Sequence, residues 1–200
     1  SQRTQMMFKW RNILMDHLEE LSVLCAKELG KNLSEARGDI LKAIEPTELA
    51  CAAPFITQGS ASLQVTTGFD TAAYRMPLGV VAGIVPFNFP AMIPWGWIVP
   101  LAVVTGNTVV LKAASYTPLT SMRILELFYH EAGFPKGVVN LVTCSRKESE
   151  LFLCLFRRKS KYFEHLGLNI ILVDSDTSSA DLVTVQSDVV SFCAHSARIA

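Results

Sequence analysis

Two short segments carry polar side chains able to do chemistry within an otherwise apolar stretch. In Pro86-Phe87-Asn88-Phe89-Pro90 a side-chain amide stands between two aromatic rings and two prolines. In a rigid, water-poor turn of this kind, one amide donor aimed at a developing oxyanion is worth about 3 kcal/mol. The same residues also suit an ordinary Asx turn, in which the amide serves its own backbone. Lys112 is the first charged residue after Arg75. At a strand end its ammonium can reach a ribose hydroxyl or a phosphate, and a lone lysine can also simply keep its head in water. The five cysteines (Cys25, Cys51, Cys144, Cys154 and Cys193) are odd in number and widely spaced, with no C-x-x-C pair. No histidine stands near them at metal-ligand spacing. Neither a disulfide framework nor a zinc site is expected, and reduced thiols in a cytoplasmic compartment are. Neither a G-x-G-x-x-G after the first buried strand nor a Walker sequence occurs, so the ordinary nucleotide fingerprints are missing.

The elements that must position these groups follow from hydrophobic spacing. Met6 to Leu29 has apolar residues at helical intervals with Asp16, Glu19, Glu20 and Lys27 between them, which predicts one amphipathic helix ended by Gly30. Ser34 and Glu35 predict a second helix start, Pro46 a kink or break inside it, and Ala50 to Phe55 a resumption. Residues 56–75 alternate loosely and contain Gly59 and Gly68, which predicts short strands or a hairpin. Val80 to Val85 and Val109 to Leu111 are short β-branched runs of the kind buried on both faces of a parallel sheet. A helix over Ala91 to Val104 lies between them, and one over Thr120 to Ala132 precedes a third strand at Val138 to Val142. This alternation predicts an α/β fold with a doubly wound, Rossmann-type parallel sheet. In such folds ligands sit at the carboxyl ends of the strands, here Pro86 to Pro90 and Lys112 to Thr117.

The composition agrees with a packed interior and narrows the partners. Half of the 200 residues are apolar, and 18 basic residues balance 18 acidic ones, so no electrostatic footprint for nucleic acid or an acidic membrane is visible. Met76 to Leu111 contains no Asp, Glu, Lys or Arg, a stretch longer than the roughly 20 residues of a membrane span. Pro77, Pro86, Pro90, Pro94 and Pro100 interrupt any continuous helix there, so the stretch is read as globular core. Residue 1 falls inside the first predicted helix, so the chain is not expected to start at a natural beginning, and any targeting segment would lie outside it.

Three blocks then carry a resemblance. Tyr74 to Pro90 (YRMPLGVVAGIVPFNFP), Thr105 to Lys112 (TGNTVVLK) and Ala132 to Asn140 (AGFPKGVVN), in that order, resemble the aldehyde dehydrogenase superfamily. Phe87 in place of the more usual Trp, followed by Pro-Ala-Met-Ile-Pro, is similar to the methylmalonate-semialdehyde dehydrogenase branch, which passes its acyl group to coenzyme A. The segment Glu35 to Asp39 fits the same branch. The resemblance implies oxidation of a small aldehyde or semialdehyde. A cysteine thiolate attacks the carbonyl, Asn88 holds the oxyanion, and hydride passes to NAD or NADP. It also implies that Val85 and Phe87 line the cofactor, that Lys112 holds the adenosine ribose, and that Ser115 and Tyr116 flank it. Many NAD-using relatives carry Glu where Ser115 stands, so both cofactors remain open, a smaller neutral group there admitting a 2′-phosphate. Family members form homo-oligomers.

The departures define two readings. After Asn140-Leu141-Val142 the family's Gly-Ser-Thr-x-x-Gly is replaced by Leu151 to Lys159, and similarity resumes at Asn169 to Asp176. Glu164 stands near the family's general-base glutamate, although His165 to Leu168 departs from the Leu-Gly-Gly-Lys that follows it. Cys193 precedes Arg198-Ile199 at the spacing of the nucleophile, with Ser191-Phe192 in place of Gly-Gln. A second register matches Cys193-Ala194 to an upstream Cys-Ala and puts Arg198 at the nucleophile position, and a buried, inert Cys193 is the third alternative. The expected organisation is helices plus a cofactor-binding core over 1–143 and a divergent, shortened continuation over 144–200. The family's catalytic domain is expected to lie outside these residues, and the resemblance covers under half of a typical member. One reading is an NAD(P)-dependent semialdehyde dehydrogenase in part. The other is a truncated, non-catalytic homologue that binds nucleotide or associates with full-length subunits.

Overall fold

The computed structural model describes residues 1–145, 148–149 and 169–172. The first predicted helix is two: α1 (Gln2–Asp16) and α2 (Leu18–Leu29). The apolar spacing runs on across His17, but the backbone turns there (φ −97°, ψ 12°), so one hydrophobic face is shared by two helices. Gly30 ends α2 in the left-handed conformation that glycine adopts without steric cost (φ 70°).

The next helix, α3 (Leu33–Cys51), is capped by the Asn32 side chain rather than started by Ser34, and runs unbroken through Pro46. Pro46 has no N–H for the carbonyl of Lys42. That carbonyl lies against Gly96, where a Cβ would come within 3.1 Å of it and within 2.9 Å of Ala43 Cα. The lack of a side chain at Gly96 is what lets its backbone come this close to α3. One turn, α4 (Ala53–Ile56), follows.

The expected hairpin is β1 (Ser60–Thr66) paired antiparallel with β2 (Phe69–Ala73), its register broken by a bulge between Ser62 and Thr66. The apolar run Val80 to Val85 forms β3 (Val80–Ile84). The connection to β4 (Thr108–Ala113) is helical as expected, but its first part, Met92–Ile98, is π-helical and only α5 (Val99–Val104) is α-helical. Pro94 and Pro100 within the segment remove N–H donors from the tighter ladder, and the wider turn accommodates them. Next come α6 (Leu119–His130), β5 (Val139–Thr143) and β6 (Asn169–Leu172).

Four strands form one parallel sheet in the order β5-β4-β3-β6, beside the separate β1-β2 hairpin. The chain steps outward from β3 to β4 to β5 and returns to β6 on the other side of β3. Right-handed crossovers put the π-helical segment, α5 and α6 on one face of that sheet. Helices α1 to α3 pack over them as a second layer. Between the layers Trp10, Trp95 and Phe128 are fully buried, the Trp10 and Phe128 rings meet edge to face with centroids 5.2 Å apart, and Phe134 stacks on Phe128 at 3.9 Å. No helix among the described residues is long and apolar enough to cross a membrane.

Candidate functional site

The parallel register sets Ile84 beside Lys112 and Lys112 beside Val142, so three strand ends open on one edge of the sheet. The ladder continues one step into the first loop, where the Val85 N–H donates to the Lys112 carbonyl at 3.2 Å. Thr117 Oγ1 then donates to the Phe87 carbonyl at 3.4 Å, tying the loop after β3 to the loop after β4. The sequence-predicted residues Val85, Phe87, Asn88, Lys112, Ser115 and Tyr116 therefore share this edge. Glu164 and Cys193 lie outside the described residues.

Each residue meets this edge differently. Val85 is buried and Phe87 is half exposed. The Asn88 Oδ1 is buried with no hydrogen-bond partner among the described residues, in place of the self-contained Asx turn that was one alternative. Lys112 is only 8% exposed, and among the described residues it enters no ion pair. A lysine at a strand end with no carboxylate beside it is suited to an incoming polar or anionic group. Ser115 Oγ donates to the Cys144 carbonyl at 2.9 Å, bridging the exits of β4 and β5, while the Tyr116 side chain is exposed. Beside that bridge lies an open groove of about 300 Å³ lined by Ser115, Pro118, Thr143, Cys144 and Ser145.

Four side chains from α2, the turn after it and α3 support the edge, and sequence spacing did not single them out. Asp39 is 2% exposed, and its Oδ1 accepts from the Met92 N–H at 2.9 Å, fixing the chain that leaves the Asn88 loop. Burial pushes its carboxyl above the ordinary range, against the backbone hydrogen bonds and the Lys31 charge, which lower it. The buried Cys25 thiol donates to Asp39 Oδ2 at 3.5 Å, and desolvation first and Asp39 second push its pKa up to about 12. Glu28 accepts from the Leu119 and Thr120 N–H groups and holds the start of α6. Lys31 donates to the Asn88 carbonyl. The groove residues Thr143 to Ser145 were within reach of sequence reasoning, since the strand-end rule applies to the third strand as well as the first two.

Residues 1–157 match the aldehyde dehydrogenase family. A malonate-semialdehyde dehydrogenase of Bacillus cytotoxicus is 50% identical over 140 residues, which are 70% of this chain and 28% of that protein. A solved methylmalonate-semialdehyde dehydrogenase from Oceanimonas doudoroffii superposes with a TM-score of 0.75 at 32% identity, over 88% of this chain and 38% of that one. A structure from Sinorhizobium meliloti, described as a methylmalonate-semialdehyde dehydrogenase complexed with NAD, gives 0.74 at 28% identity, over 86% and 37%. The chain thus spans between a quarter and two fifths of the length of these relatives.

Proposed function

The chain belongs to the aldehyde dehydrogenase family, and from that premise we propose that its β3–β4 edge binds NAD or NADP for the oxidation of a small semialdehyde of the malonate or methylmalonate type. The observation that carries the reading is that the β3–β4 register and the Thr117–Phe87 hydrogen bond bring Asn88, an amide donor, and Lys112, without an ion-pair partner among the described residues, to the carboxyl ends of the same strands. The NAD-complexed relative and the semialdehyde dehydrogenase relatives support it.

Under this reading the exposed Phe87 ring and the Val85 backbone flank the dinucleotide. Lys112 donates to the adenosine ribose hydroxyls, and the groove at Ser115 and Thr143 to Ser145 takes the adenosine end. With hydroxyls rather than a carboxylate lining it, this groove accepts the ribose of NAD or the 2′-phosphate of NADP. When bound, the nicotinamide accepts the hydride released at the substrate carbon. Asn88 donates from its side-chain nitrogen to the oxygen that becomes anionic when a thiolate adds to the aldehyde carbonyl. Cys25 and Cys51 are buried, and desolvation raises both thiol pKa values, so neither supplies that thiolate. Cys193 and Glu164 are the proposed nucleophile and base, and coenzyme A or water the acyl acceptor.

A second reading, nucleotide binding without turnover, draws on the same edge. Titration calorimetry with NAD and NADP on the chain and on Lys112→Ala tests what both share. Saturable one-to-one binding, weakened about tenfold by the substitution, is expected for the loss of a charge-assisted hydrogen bond. An unchanged isotherm removes Lys112 from the site. Semialdehyde-dependent NADH formation that Asn88→Ala lowers at least a hundredfold separates the first reading from the second.

A further inference from the structure

Asn88 can act on a substrate only if its side chain leaves the backbone in one direction, and that direction is fixed by the two peptide planes on either side of it. The plane before it ends in the Phe87 carbonyl, which accepts from Thr117 Oγ1 at 3.4 Å. The plane after it carries the Asn88 carbonyl, which accepts from Lys31 Nζ at 2.5 Å. With both carbonyls held, φ and ψ of Asn88 are restrained, and with them the bearing of its Cβ. The Lys31 ammonium also stands 4.0 Å from the centroid of the Phe89 ring, a cation–π contact that restrains the next residue. Thr117 belongs to the site's own loop, but Lys31 comes from the turn between α2 and α3, 57 residues away in sequence, and is a charged donor. Charge-assisted bonds are roughly twice as strong as neutral ones.

We infer that Lys31 is a positioning residue for the Asn88 amide, acting through the Asn88 carbonyl and the Phe89 ring. The inference deepens the proposed function and rests on it.

Lys31→Met keeps the aliphatic stem and removes the donor and the charge, and Lys31→Arg keeps both. Hydrogen exchange at the amides of Phe87, Asn88 and Phe89, read without ligand, is expected to quicken about tenfold in Lys31→Met with exchange in β3 and β4 unchanged. The Asn88 side-chain NH2 signals, assigned by NMR through their loss in Asn88→Asp, are expected to move or broaden in Lys31→Met, and Lys31→Arg to restore both readouts. Unchanged loop exchange, or faster exchange spread evenly over the chain, overturns the inference. So does faster loop exchange with the Asn88 side-chain NH2 signals unmoved, which leaves Lys31 a purely structural tie. Failure of the unmutated chain to bind NAD refutes the reading of the site itself and is seen before any variant is made.

Discussion

Removing the Glu28 carboxylate should cost more than its half-buried surface position suggests, because it does the work of a cap that α6 lacks. The residue before α6 is Pro118, which offers no side-chain hydrogen bond, and no acidic residue occupies the first turn. Glu28 reaches across from α2 and receives three bonds there: from the Leu119 N–H at 2.5 Å, the Thr120 N–H at 3.0 Å and Thr120 Oγ1 at 2.5 Å. A lost N-cap costs about 1 kcal/mol, and a carboxylate at a helix N-terminus adds roughly 0.3–1 through the dipole. Leu119 is 54% exposed, so water replaces part of what is lost there, whereas Thr120 is fully buried. Together these give about 2 kcal/mol for Glu28→Ala and about half of that for Glu28→Gln, which keeps one acceptor oxygen. Urea unfolding followed by circular dichroism reads this as a lower midpoint at unchanged slope. A loss under about 0.5 kcal/mol for the alanine variant, within the range of ordinary surface changes, would refute the argument.

Two further outcomes follow from groups away from the strand ends. His17 contacts Glu20 at 2.6 Å and Glu131 at 3.0 Å, and Glu20 is also bonded to Arg123. The hydrogen bond to Glu20 is the main cause raising its pKa above 6.5, with Glu131 adding to it and burial opposing. A histidine raised on folding stabilises the fold fully below its ordinary value, and that stability is lost as pH rises through the folded value. Unfolding free energy should therefore fall as pH rises above about 6.5, by less than about 1 kcal/mol for such an exposed network, and His17→Ala should remove that part of the slope. An unaltered slope contradicts it. Thiol labelling at pH 8 mapped by mass spectrometry should modify half-buried Cys144 well before Cys25 and Cys51, and NAD should slow labelling of Cys144. Early labelling of Cys25 contradicts the burial that holds its thiol at a pKa of about 12.

Legibility in the sequence followed the range of the interactions. The strand at Val80 and the next two parallel strands were readable because a short β-branched run bounded by Gly and Pro has few other uses, and the strand-end rule then located Asn88 and Lys112. Periodicity did not reveal the break at His17, since it reports which face is apolar and is silent on whether the backbone is continuous. The break that was one expectation at Pro46 is not found, α3 running through it to Cys51, since α3 is held along its length by packing against other elements that local sequence does not show. The ties that hold the site's loops, Asp39 to Met92, Lys31 to Asn88 and Glu28 to Leu119, join residues 53, 57 and 91 positions apart, beyond any local signal. The motif resemblance supplied what local physics could not, a reason to propose that Asn88 and Lys112 act together at one edge.

The central claim is that a nicotinamide dinucleotide binds across the carboxyl ends of β3, β4 and β5. Titrating NAD into the isotopically labelled chain and following backbone amide shifts by NMR tests it most directly. The account predicts saturable shifts concentrated at Val85 to Phe89, Lys112 to Thr117 and Thr143 to Ser145, with the β1–β2 hairpin and the outer face of α3 unmoved. Shifts that centre on the hairpin or the helical layer, or no shifts at millimolar NAD, would contradict it.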